Sequence, residues 1–308
     1  MQEQEPRELA QPPFPTQFES PFSDEFVQFA QTITKEEFET IRAFAFKHAG
    51  IAIADYKQNM VFGRVIKRLR ALRIPSITDY LEHLDGPKGR GEIQFLVNAL
   101  TTNKTSFFRE SHHFVHLTET FFPEKISAIR AGAPGRIRLW SAGCSSGEEA
   151  YSIAMTSLSS LAAPAAMHRN IDLKILSTDI DTHILEKAKS GVYPADHLDD
   201  IPERLARIYM RRVKNDEALC SVRDFVRNHI CFKYLNLIGE WPMKGPFDAI
   251  FCRNVVIYFN KETQRVLFDR FAEMLPMGGY LYIGHSESLH RVSERFENVG
   301  QSIYRRVI

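Results

Sequence analysis

The sequence predicts an α/β protein: a largely parallel sheet with helices on both faces, preceded by a small all-helical domain and interrupted by a small inserted β-subdomain. Three observations carry this expectation. From Arg136 onward the short apolar runs RIRLWSAG, DLKILSTD, FDAIFCRN and GGYLYIGH alternate with helical patterns such as NKETQRVLFDRFAEML, and strands alternating with helices build parallel sheets. Residues 33–105 carry helical periodicity instead. Residues 192–230 break the alternation with Pro194, Pro202 and the hairpin-like stretch YMRRVKNDEALCSVR.

Taken in order, residues 1–32 are polar and Pro-rich with scattered Phe, a composition that rarely orders by itself, and read as a flexible leader. Thr34-Lys35-Glu36-Glu37 forms a capping box, and Phe38, Ile41 and Ala45 follow at helical spacing, so a helix starts there and ends at Gly50. In QNMVFGRVIKRLRALRI, Met60, Val61, Val65, Leu69 and Leu72 share an apolar face while Arg64, Lys67, Arg68, Arg70 and Arg73 crowd the remainder. Shorter helices follow through ITDYLEHL and GEIQFLVNAL. The helical domain closes near TTNKTSFFRE, and residues 106–308 form the sheet domain.

Composition limits the function. With 308 residues, 44% hydrophobic and 25% charged, the chain can bury a sizeable core. A formal net charge of +1 argues against a protein that coats nucleic acid. The four cysteines show no C-x-x-C spacing, so neither a zinc site nor a disulfide framework is expected. No apolar run approaches the ~18 residues of a membrane span, and the acidic, Gln-rich N-terminus is unlike a signal peptide. A cytoplasmic protein is expected.

In such sheets ligands bind at the carboxyl ends of strands, and those ends carry Gly143 to Gly147, Asp179, Asn254 and His285 to Glu287. LWSAGCSSGEEAYS places a glycine turn between a strand and a helix. A phosphate loop would follow its last glycine with Lys; Glu148 stands there, and a carboxylate repels phosphate. The dinucleotide fingerprint fares no better, because its middle glycine is missing. A cationic nucleoside without phosphate, such as S-adenosylmethionine, suits Gly143, the two glutamates and a ribose-binding Asp179. The Gly143–Asp179 separation exceeds the ~20 residues usual in dinucleotide folds, and the LAAPAAMHRN loop accounts for the excess. Glycine turns also serve close packing alone, and Glu at a helix start complements its dipole.

Five blocks, ALTTNKTSFFRESHHF, LWSAGCSSGEEAYSIA, STDIDTHILEKAKSGVY, FDAIFCRNVVIYFNKETQ and GGYLYIGHSESL, occur in collinear order and together resemble the CheR family of chemotaxis protein methyltransferases. The resemblance implies an N-terminal helical domain, a class I methyltransferase sheet and an inserted β-subdomain. It also implies S-adenosylmethionine as cofactor, chemoreceptor glutamates as methyl acceptors, and the cytoplasmic receptor helices as partner of a monomer. The family's cofactor contacts fall on Asn103, Thr105, Arg109, Glu149, Asp179, Asn236, Leu237, Arg253 and Asn254, with Arg109 and Tyr258 beside the reacting methyl group. Arg64, Lys67, Arg68 and Arg70 become candidates for docking acidic receptor helices. One departure concerns the subdomain turn, which contains glycine in some relatives and reads Arg212-Val213-Lys214-Asn215-Asp216 here.

Other constellations carry less. GHSES lacks the closing glycine of a nucleophile elbow, leaving Ser286 without a hydrolase setting. His112, His113 and His116 have no carboxylate or Cys at zinc-ligand spacing, so no metal is expected. Trp140, Phe107 and Phe108 read as core, and Cys144 as a small buried side chain.

Overall fold

The computed structural model describes residues 32–87, 89–162 and 171–308. All but the last residue of the expected leader, and most of the LAAPAAMHRN loop, lie outside the described residues.

The helical unit contains α1 (Lys35–Ala49), α2 (Gln58–Leu72), α3 (Ile77–Asp85) and α4 (Gly89–Leu100). The capping box forms as read: Thr34 Oγ1 accepts from the Glu37 amide at 3.2 Å, and Glu37 Oε2 accepts from the Thr34 amide at 2.9 Å. Gly50 ends α1 in the left-handed region, φ 70°, where glycine carries no Cβ penalty. On α2 the buried stripe is Val61, Val65 and Leu69. Leu72, expected on that face, is exposed instead, because the helix ends there and Arg73 turns left-handed.

The basic face of α2 is not one free surface. Arg64 donates to the Leu100 and Thr101 carbonyls at 2.7 and 2.8 Å, tying α2 to the segment after α4. Arg68 forms a two-pronged pair with Glu92 at 2.8 Å, and Tyr80 donates to the same carboxylate. Glu92 is buried, so this is an internal ion pair under the helices. Lys67 and Arg70 remain exposed.

The sheet domain opens with α5 (His112–His116), a π-helical turn (Leu117–Phe121) and α6 (Phe122–Arg130). It continues through β1 (Arg136–Ala142), α7 (Glu148–Ala162), β2 (Asp172–Asp179) and α8 (Thr182–Ser190). Next come β3 (Val192–Pro194), α9 (Glu203–Tyr209), β4 (Met210–Val213), β5 (Asp216–Val222), α10 (Asp224–Arg227) and β6 (Ile230–Tyr234). The chain then forms β7 (Ala249–Cys252), α11 (Lys261–Met274), β8 (Tyr280–Ile283), β9 (Phe296–Gly300) and β10 (Ile303–Arg306).

The seven-stranded sheet has the order β6-β2-β1-β7-β8-β10-β9. β6, β2, β1, β7 and β8 run parallel, while β10 is antiparallel to both β8 and β9. This is the class I methyltransferase sheet. Its central strands alternate between two cores, as the two-residue period of a strand requires. Ile137, Leu139, Ala249, Phe251, Tyr280 and Tyr282 face one side; Trp140, Ala142, Ile250, Cys252, Leu281 and Ile283 face the other.

β3, β5 and β4 form a separate three-stranded antiparallel sheet. At its hairpin turn Asn215 takes φ 66°, so an asparagine fills the left-handed position that glycine would occupy, a conformation Asn tolerates.

Strand β6 and the β9–β10 hairpin have no counterpart among the predicted strands. ICFKY carries a lysine and abuts the insertion, and FENVG and IYRR are short, polar strands toward a sheet edge, where apolar alternation is weak.

Replacing Arg68 by Ala strands the buried Glu92 carboxylate and is expected to cost about 3 kcal/mol in urea denaturation. Lys67→Ala, on the exposed face, is expected to change stability by less than about 0.5 kcal/mol. Equal effects of the two changes in that measurement count against the pair as an internal brace.

Candidate active site

A single cleft at the carboxyl ends of β1, β2, β6 and β7 is lined by Asn103, Thr105, Arg109, Gly143, Glu149, Asp179, Asn236, Leu237, Arg253, Asn254 and Tyr258. The structure thus brings together every residue expected at the cofactor and the methyl group. Arg64, Lys67, Arg68 and Arg70 are not part of its lining.

The glycine turn works by close approach. Gly143 has φ 87°, and a Cβ there would sit 2.4 Å from Val255 Cγ2, so no other residue fits the crossing of the β1 and β7 ends. Gly147, φ 96°, would meet Ala188 and Tyr193 at 3.0 Å. Between them the Gly143 and Cys144 amides donate to the Thr178 carbonyl at 2.8 and 2.9 Å, stitching the turn to β2. Cys144 is buried, and burial pushes its thiol well above the usual range.

At the end of β2, Asp179 Oδ2 accepts from the Ser145 amide at 2.8 Å and Oδ1 from the Asp181 amide at 2.9 Å. Burial pushes its carboxyl up to about 6 against the opposing pull of those amides. Glu149, in the first turn of α7, is buried; Ser141 Oγ donates to its Oε1 at 2.7 Å, and Arg253 Nη1 approaches its Oε2 at 3.2 Å. Burial raises the Glu149 carboxyl despite that guanidinium. Glu148 turns elsewhere: Ser146 Oγ donates to it at 2.6 Å.

Arg253 is the hub. It is 6% exposed and lies between Glu149 and Glu110, 3.4 Å from the latter, while Nη2 donates to the Arg109 carbonyl. Glu110 also accepts from the His285 amide, and the His285 ring lies 2.8 Å away. Burial acts to raise the Glu110 carboxyl, but the His285 hydrogen bonds and the Arg253 charge outweigh it and bring it down to about 2.

The segment Phe108-Arg109-Glu110 is tightly folded, with φ 50° at Phe108 and 56° at Glu110, and Arg109 Nη1 donates to the Lys104 carbonyl at 3.0 Å. Phe108 is half-buried and packs against the core, while Phe107 and Trp140 are buried. The same fold corrects the reading of the histidines. A carboxylate does accompany them, since Glu110, His112 and His113 bring one ligand atom each within 4.8 Å of one another. The Arg253 guanidinium lies 3.4 Å from that carboxylate and is shared with Glu149.

The helical unit forms the opposite wall. Asn236 Nδ2 donates to the His48 carbonyl at 2.7 Å, and the Ala52 amide donates to the Tyr258 carbonyl at 2.8 Å. Asn103 Nδ2 reaches Asp181 at 2.7 Å. Ala49, Ile51 and Lys104 line the cleft from this side, and Lys57 Nζ lies over the Tyr258 ring at 5.9 Å.

Sequence reading passed over Glu110 and the residues of the Gly50–Lys57 segment. Glu110 sits in the quoted block TTNKTSFFRE and offered the signal of a carboxylate next to Arg109. The Gly50–Lys57 segment offered none, because its contribution is a main-chain amide and a wall.

These residues fit a cationic nucleoside: Glu149 and Asp179 are carboxylates, Gly143 admits a close ligand, and Ile51, Leu235 and Leu237 supply an apolar wall for a base. S-adenosylmethionine meets each of these features.

Comparison with known proteins agrees. A family profile described as "CheR methyltransferase, SAM binding domain" matches residues 103–305, and one described as "CheR methyltransferase, all-alpha domain" matches residues 36–101. The chain is 41% identical over 275 residues to a chemotaxis protein methyltransferase of Escherichia coli (strain K12), covering 88% of this chain and 91% of that protein. It is 41% identical over 262 residues to a probable chemotaxis protein methyltransferase of Rhizobium etli, covering 84% and 96%. A chemotaxis protein methyltransferase of Borreliella burgdorferi is 34% identical over 276 residues, covering 89% and 95%. Two adjoining domain profiles and relatives matched across most of their length make this chain a member of the CheR methyltransferase family, an S-adenosylmethionine-dependent methyltransferase of chemotaxis.

Proposed function

We propose that the protein methylates glutamate side chains on the cytoplasmic helices of chemoreceptors, forming glutamyl methyl esters. The observation that supports this reading best is the convergence of Arg109 and Tyr258 on the same cleft as Glu149, Asp179 and Asn254.

The chemistry asks little beyond alignment. A glutamate carboxyl has an ordinary pKa of about 4.3, so near neutral pH the acceptor is already ionised and no general base is needed. When bound, S-adenosylmethionine supplies an electrophilic methyl on a sulfonium. Arg109, half-buried at the cleft, holds a carboxylate by charge-assisted hydrogen bonds. Tyr258 borders the cleft, its carbonyl held by the Ala52 amide and its ring under Lys57 Nζ at 5.9 Å, and from there the ring orients the acceptor and excludes water. Asp179 accepts ribose hydroxyls with the lone pairs its amide donors leave open. Asn103, Thr105, Asn236, Leu237, Arg253 and Asn254 complete the cofactor cradle. Lys67 and Arg70, the exposed members of the basic α2 face, attract acidic receptor helices.

Arg109→Ala is expected to lower methyl transfer by about 100-fold, the scale of a misplaced acceptor, with an unchanged circular dichroism spectrum. Labelled methyl appearing as base-labile ester on receptor glutamates checks both the reaction and the variant; wild-type turnover removes Arg109 from the mechanism.

Because burial raises the Asp179 carboxyl to about 6, its ionised form is complete only above that pH. Affinity for S-adenosylhomocysteine is therefore expected to be full near pH 8 and to fall as pH drops through 6, with Asp179→Asn losing this dependence. Calorimetric titration at the two pH values tests the sign.

Reversing Lys67 and Arg70 to Glu is expected to weaken receptor-fragment binding several-fold at low salt and much less at high salt, where the Debye length shrinks to about 3 Å at 1 M. Binding that is insensitive to both reversal and salt assigns docking to another surface.

A further inference from the structure

The loop after β8 contains a carboxylate that the site described so far does not use. Glu287 is 7% exposed, and its donors are main-chain amides. Oε2 accepts from the Asn254 amide at 3.0 Å and the Gly284 amide at 2.5 Å, and Oε1 accepts from the Ile257 amide at 3.2 Å. Among the described residues no Lys, Arg or His pairs with it. A buried charge held by amides alone is costly unless its geometry is kept, so the carboxylate and the segment around it hold each other in place.

That segment leads into the cleft. Asn254 stands at φ 58°, Val255 packs against Gly143, and the turn Val256–Tyr258 follows at once. Gly284 leaves the room needed: a Cβ there would lie 2.4 Å from Asn254 Nδ2 and 2.9 Å from Glu287 Oε2. One carboxylate therefore bonds both ends of a four-residue stretch, Asn254–Ile257, whose first two side chains line the cleft and which runs directly into Tyr258, a further lining residue.

We infer that Glu287 is a positioning residue for methyl transfer: its carboxylate clamps the Asn254–Ile257 amides to the β8 loop and so fixes Asn254 and Tyr258 at the cleft. It touches neither cofactor nor acceptor and acts through those two residues. The carboxylate is needed in full, since an amide of the same shape presents one oxygen and turns its NH2 toward amides that require an acceptor.

Glu287→Gln decides the matter in the full-length chain, with S-adenosylhomocysteine as probe so that the acceptor's identity does not enter. The expected result is roughly tenfold weaker binding, the scale of one lost charge-assisted hydrogen bond. Faster amide exchange confined to residues 254–258 and a melting temperature within a few degrees of wild type should accompany it. Wild-type affinity overturns the inference, as does faster exchange spread over the whole sheet, which marks a merely structural carboxylate. Should the Gln variant not fold, Glu287→Asp takes its place, because the shorter carboxylate keeps the charge but cannot reach both ends of the stretch. Weaker S-adenosylhomocysteine binding by folded Asp protein supports the clamp, and unchanged binding overturns it.

Discussion

The cleft depends on the buried Arg253 guanidinium. Taking such a charge out of water costs several kcal/mol unless partners replace the solvent, and here Glu149, Glu110 and the Arg109 carbonyl do so. The cation and its partners come from three stretches of chain: Glu149 from the helix after β1, Glu110 and Arg109 from the segment entering the sheet domain, and Arg253 from the end of β7. Satisfying one cation therefore fixes three elements relative to one another. The left-handed residues Phe108 and Glu110 are strained conformations maintained because the surrounding contacts over-determine them.

Around this hub the fold uses main-chain groups more than side chains. The Gly143 and Cys144 amides hold the turn to β2, the Ala52 amide holds the Tyr258 carbonyl, and Asp179 is held by the Ser145 and Asp181 amides. Main-chain contacts are insensitive to side-chain identity, so the shape of the cleft follows from strand register and from the few positions, such as Gly143, where a Cβ cannot fit.

Much of this was legible in the sequence, and the reasons are local. Capping at Thr34, the short apolar run RIRLWSA and the glycine turn each announce themselves within a few residues. The order of the quoted blocks gave the sheet domain and the residues now found on one cleft. What escaped depends on distant partners. β6 is a short strand beside the insertion, interrupted by Lys233 and made by pairing with β2, yet it delivers Asn236 to the cleft. Leu72 falls off the apolar stripe because its helix stops. Arg64 and Arg68 looked like solvent-facing charge, and only the approach of α4 and the segment after it turns them inward. Glu110 joins the histidines through a left-handed turn that no spacing rule describes.

The cleft has walls from two units, with Ala49 and Ile51 on one side and Gly143 and Asp179 on the other. A ligand filling it touches both, and whatever needs both walls to bind stabilises their contact by mass action. A ligand that fills this cleft rests on both units at once, so that its binding acts as a reversible adhesive between the two halves of the protein.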